Sequence, residues 1–424
     1  MKKIINSPYF GIIVFILFLV ATLTQNKIIQ LLGVILFFYA VILCDIENSI
    51  ILLVMLAPNI AIIKFPWINF GILRVGFGIL LFRLQIWREL KNIKLIVAGV
   101  IVAVITLSRV VYGNFYDFIT YLFEYATIIF CIYVAQNDIF DVKKIINSFK
   151  YGCLLMLFSM LVHYTISQGA DGRPRALGDD SNYTAIIFLV LFIISFICYI
   201  YKFDTKYNLV YMLIGLAAGL FTGSRGFLLS LIIIMGIEAV RGFFYRNERF
   251  VTYIFLTLFF IVTLLYLLRF EPVVLLFDKT IGRTLNLKSN YNSGDFMDIT
   301  SGRVFLWKYY ISHKITGVKE LMFGTGFHNY HLIENGGYAL EAHNMYISGI
   351  IGVGLIGLCI MLYFFGYIIS IGLKKSKNNW IILLVPIGVM VEYFFLDGLF
   401  DIRIPIYLLV MVCVSKLFSD KINL

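Results

Sequence analysis

Three polar breaks between long apolar runs carry arginine beside glycine or hydroxyl residues. Arg173 and Arg175 lie in G-A-D-G-R-P-R-A-L-G-D-D-S-N, Arg225 in T-G-S-R-G (222–226), and Arg303 in T-S-G-R (300–303) at the start of an expected helix. A guanidinium is planar, permanently charged and bidentate, which suits it to clamp a phosphate. In the second and third breaks the neighbouring residues would free backbone N–H groups for an anion, as at helix N-termini. The alternative use of arginine at a membrane edge is to reach the lipid headgroups; three such breaks on one face favour phosphate. His343 stands in E-A-H-N (341–344). With an unperturbed pKa of about 6.5, it is a candidate base at neutral pH, against the alternative of an interfacial histidine bonded to a carbonyl. Glu341 competes for the role, because a carboxylate beside a dry pocket has a raised pKa. Asn344 is a secondary candidate.

Other polar groups carry weaker signals. Asp117 and Glu124 lie seven apart on one helix face inside an apolar run, where carboxylates are costly and functional by default. They read as a proton relay or as partners for Arg109 or Arg74, and are secondary candidates. Asp397, Asp401 and Arg403 cluster at an outer rim, either lining the same cavity or pairing internally. His313, His328 and His331 read as structural or surface residues. A His328/His331 pair lacks further ligands, so no metal is expected. Gly324-Thr325-Gly326 reads as a turn, and Gly352, Gly354 and Gly357 as close helix packing.

The elements that must position these groups are membrane helices. Of 424 residues, 61% are hydrophobic and 14% charged, against about a quarter charged in water-soluble chains; mean hydropathy is +0.92. The apolar runs are continuous, which favours helices over a barrel. About 14 spans are expected, near 9–24, 28–43, 48–63, 69–83, 94–108, 116–135, 149–167, 182–201, 208–222, 226–241, 250–268, 344–372, 379–397 and 403–417. The two around T-G-S-R-G are short and suggest a tight, re-entrant-like hairpin. The fold class expected is all-α and polytopic. Residues 1–268 supply spans with outer turns at about 168–182 and 222–226, residues 269–343 one long extracytoplasmic loop, and residues 344–424 the last spans.

The net charge of +11 follows the cytoplasmic side of a membrane rather than a nucleic-acid surface. Arg83, Arg88, Lys91 and Lys94, then Lys143, Lys144 and Lys150, then Arg241, Arg246 and Arg249, then Lys374, Lys375 and Lys377 fall in inner segments. Both termini are therefore expected in the cytoplasm. The first run follows Lys2 and Lys3 without a small-residue cleavage site, and is expected to be a retained helix. The six cysteines fall within or at the ends of spans, without metal or redox spacing. There is no nucleotide-binding G-x-x-x-x-G-K-[ST] and no visible inverted repeat of the transporter kind.

In order, R-A-L-G-D-D-S-N, T-G-S-R-G, S-G-R-V-F-L-W, G-T-G-F and A-H-N-M-Y cover roughly residues 170–360. In this the chain resembles the O-antigen polymerase and O-antigen ligase superfamily, which includes capsule and exopolysaccharide repeat-unit polymerases. The resemblance implies a cell-membrane, GT-C-type inverting glycosyltransferase that needs no metal or other cofactor. Its substrate would be an oligosaccharide on undecaprenyl pyrophosphate, with membrane lipid, a chain-length regulator and a repeat-unit flippase as partners. It maps outward arginines onto Arg225 and Arg303, less securely Arg175, and a histidine onto His343. A span count near 14 leans toward the polymerase; the ligase, which moves a finished glycan onto lipid A–core of lipopolysaccharide, is the alternative. A lipid-linked oligosaccharide or anion transporter, coupled through Asp117 and Glu124, is the alternative of another class, and an inert scaffold a third.

Overall fold

A computed structural model describes residues 8–68, 70–85, 115–167, 174–244, 303–326, 343–377, 379–394, 396 and 401–421, with the backbone alone for helical residues 8, 115–118, 121, 239, 242–244, 303–305 and 419–421. Among the described residues the chain is all-helical, and pairing of strand type is confined to a bridge between Lys64 and Gly71. The helices are α1 (Pro8–Thr24), α2 (Lys27–Leu43), α3 (Ile46–Leu56), α4 (Ile72–Leu84), α5 (Phe115–Gln136), α6 (Val142–Ser167), α7 (Ser181–Ile200), α8 (Thr205–Phe221), α9 (Arg225–Phe244), α10 (Arg303–Lys314), α11 (Val318–Phe323), α12 (Met345–Lys375), α13 (Leu384–Tyr393) and α14 (Arg403–Lys421). Single 3-10 turns extend α3 (Ala57–Asn59) and precede α13 (Trp380–Leu383). The expected spans 94–108 and 250–268 lie outside the described residues.

The helices start where a short polar side chain meets the first free N–H groups. Asn26 accepts from Ile28 and Ile29, Asp180 from Asn182, and Asn344 from Tyr346 and Ile347. Asp141 accepts from the N–H groups of Lys143 and Lys144. That cap carries α6 back to Val142, and Lys150, counted among the inner cations, lies inside the helix with its ammonium on the Asn208 side chain at 2.5 Å.

Among the described residues, three helices are long and apolar enough to cross a membrane: α6, α7 and α12. Six shorter apolar stretches accompany them, as a polytopic membrane protein requires. α7 is the central post, buried on every face from Thr184 to Cys198, and α8, α9, α13, α14 and α6 pack around it. α2 is two-sided. It buries Gly33, Val34, Phe37, Ala40 and Val41 and turns Ile28, Leu32, Ile35 and Ile42 outward. An outward face that is itself apolar suits hydrocarbon rather than water. The tight hairpin expected around T-G-S-R-G does not form: α9 packs mainly on α13 and only slightly on α8. At the far end of α12, Lys375 and Lys416 meet Asp138 at 2.5 and 3.0 Å, and Lys144 reaches Glu47 at 3.2 Å.

α12 is broken. Gly354 stands at φ 72°, ψ 178° inside it, so the Gly352–Gly357 stretch is not the uninterrupted packing face that its spacing suggested. The break leaves carbonyls without helical donors, and the Gly324–Gly326 turn supplies them. Thr325 N–H donates to Ile351 O (2.6 Å), and Gly326 N–H to Gly352 O (3.1 Å). Gly324 (φ 73°) lies so close that a Cβ there would meet Gly352 O at 2.6 Å. This insertion fastens α10 and α11 to α12. Gly324→Ala combines a left-handed backbone with that clash, and should cost about 1–3 kcal/mol. A lowered thermal midpoint in detergent, with faster proteolysis near residues 315–326, is the expected result; an unchanged midpoint would contradict the docking.

Candidate functional site

The last three residues of the α13 turn, Glu392, Tyr393 and Phe394, each hold a different segment that the sequence singled out. The first tie is to the Arg225 turn. Gly223 (φ 65°) turns the chain after α8, and Ser224 Oγ accepts from Phe227 N–H (3.3 Å) as the cap of α9. The same hydroxyl donates to Glu392 Oε1 (3.0 Å), and Ser230 donates to Oε2 (3.4 Å). Glu392 is wholly buried. Arg225, half-buried, opens α9 between Ser224 and Gly226. The anion lying against this turn is thus the protein's own carboxylate, although the sequence suggested that its N–H groups would face a ligand.

The second tie runs through Tyr393 to the 174–180 segment that carries Arg175. Tyr393 Oη donates to Asp401 Oδ2 (2.7 Å). Arg403 grips Asp401 through Nε and Nη2 and reaches Asp179 through Nη1 (2.8 Å), with its guanidinium over the Tyr183 ring. The Asp401–Arg403 cluster therefore pairs internally. Burial opposes charge on Asp401, yet the Arg403 guanidinium and the donors around it hold its carboxyl below the usual range. Asp179 receives only one arm of Arg403, so burial prevails and its carboxyl is raised. Thr184 and Ser159 accept from the N–H groups of Ala176 and Leu177 and pin the same segment.

The third tie is Phe394. Its ring meets Trp307 edge-on at 5.4 Å, and Trp307 lies one turn beyond Arg303 on α10. Leu306, Tyr310 and Ile351 form a small core beside it. The Phe394 carbonyl accepts from Asn344 Nδ2 (3.1 Å). Asn344 is thus a cap and a clamp. His343, immediately before it, takes a left-handed backbone at φ 49°, uncommon outside glycine.

The breaks bearing Arg225 and Arg303, and the His343 motif, therefore gather at Glu392 and Phe394, and the Arg175 segment is tied in through Tyr393. Glu124 is buried and pairs with Arg74 at 2.7 Å, one of the partners expected for it. Asp117 falls in the first turn of α5. Glu341, Asp397, Arg109, Arg173, His328 and His331 lie outside the described residues. The sequence reading missed Glu392. The signal was present, because it is a carboxylate in the interior of the expected 379–397 span, where such a group needs a reason. Compared with protein-family models and with curated proteins, the chain matches none.

Arg403→Leu should leave Asp179 and Asp401 as buried, unpaired carboxylates, a loss of about 3–5 kcal/mol. In that variant burial alone would raise both carboxyls above their unfolded values. The penalty is then full at neutral pH and shrinks as pH falls and they take up protons. A thermal midpoint that recovers relative to wild type between about pH 7.5 and about pH 5 is expected; a pH-independent deficit would show that the charges do not matter.

Proposed function

We propose that the chain polymerises oligosaccharide repeat units carried on undecaprenyl pyrophosphate, by glycosyl transfer at the outer face of the cytoplasmic membrane. The observation that carries this reading is the meeting of T-G-S-R-G, S-G-R-V-F-L-W and A-H-N-M-Y, far apart in the chain, at Glu392 and Phe394. A polymerase needs its diphosphate clamp and its base at one end of the bundle, and the three motifs supply those residue types together. The lysine–aspartate pairs at the opposite end of α12 support an orientation with the α13 turn outside and both termini inside. About 14 spans and a long outer loop over 269–343 belong to the same proposal.

The reaction is a single displacement. An acceptor sugar hydroxyl attacks the anomeric carbon of the lipid-linked chain, the bond from that carbon to the diphosphate oxygen breaks, and the diphosphate leaves with the electron pair. Arg225 and Arg303 stabilise its growing charge. His343 or Glu341 accepts the hydroxyl proton. The transporter reading loses support where Glu124 is spent on Arg74 rather than standing along a path.

Purified protein incubated with a lipid-linked repeat unit should yield a polymer ladder. Transfer only onto lipid A–core would indicate a ligase, and neither product would revive the transporter. Arg225→Ala and Arg303→Ala should each reduce polymer by about a hundredfold or more while the protein stays in the membrane. Wild-type chain lengths in either variant would remove that arginine from the mechanism. An undiminished His343→Ala variant would assign the base to Glu341.

A further inference from the structure

Glu392 is a buried carboxylate that the proposed reaction does not use. A charge in such a place is stable only where donors and dipoles replace water. The two serine hydroxyls supply donors, and the start of α9, with its positive dipole end, supplies the field. The fit is close: a Cβ on Gly226 would lie 2.6 Å from Oε2 and 2.8 Å from the carboxyl carbon. Arg225 is bracketed by these contacts, with Ser224 bonded to the carboxylate on one side and Gly226 against it on the other.

We infer that Glu392 is a positioning residue for Arg225. Its carboxylate takes up the N-terminal end of α9 and locks the turn, so that an external diphosphate is met by the Arg225 guanidinium in one fixed presentation. The identity of that ligand, a polyprenyl diphosphate, rests on the function proposed above; the locking of the turn rests on the contacts alone.

The test is a double-mutant cycle on the full-length protein in nanodiscs, with undecaprenyl diphosphate as the probe and its dissociation constant as the readout. Arg225→Ala should weaken binding by about tenfold or more. Glu392→Ala should weaken it by about tenfold when Arg225 is present and have no further effect when Arg225 is alanine. Glu392→Gln keeps an acceptor for Ser224 and offers Ser230 an amide donor, and should stay within about threefold of wild type. Gly226→Ala gives an independent arm: its methyl group meets the carboxyl end of Glu392 first and displaces that group without removing it. It should show the same dependence on Arg225. Penalties that add independently of Arg225 in the Gly226→Ala arm overturn the inference and leave the proposed function standing. A wild-type protein that fails to bind the probe overturns both.

Discussion

A carboxylate shut away from water has to find its hydrogen-bond donors on another part of the chain, and Glu392 finds them on α9. That single requirement ties the end of α13 to the T-G-S-R-G turn, and the neighbouring residues extend the arrangement. Tyr393 spends its hydroxyl on Asp401, and Phe394 offers a ring to Trp307 and a carbonyl to Asn344. Polar and aromatic groups at one helix end thereby add interhelical hydrogen bonds to the van der Waals packing that holds membrane helices together.

The second fastening works through backbone rather than side chains. The break at Gly354 exposes carbonyls that a continuous helix would have satisfied, and the Gly324–Gly326 turn donates to them. Within an apolar environment such groups must be paired, so the break and the turn imply each other. The outcome is that α10, with Arg303 at its start, is held from two sides: by Trp307 on Phe394 and, through α11, by the turn lodged in α12.

Charge is distributed with the same economy. Arg403 has a carboxylate on each side, and Arg74 has Glu124. These cations are committed to holding segments together. Four pieces of an apolar protein are thus pinned by ion pairs and hydroxyls around one end of the bundle, while lysines and Asp138 mark the other end.

Hydropathy is local, and it settled much of the fold in advance. Apolar runs of helical length placed most described helices within a few residues. The arginine breaks, the histidine motif and the Asp401–Arg403 cluster were also visible as residue types out of place in lipid. What the chain could not disclose was distance in space. Ser224 and Glu392 are separated by 168 positions and Arg403 and Asp179 by 224, and no local period carries that information. The break at Gly354 was hidden for the same reason: three glycines in a span look like packing until a remote turn is seen to occupy the gap. Tertiary structure alone decided which buried charges were partners, because the cost of leaving each unpaired is settled only when the helices meet.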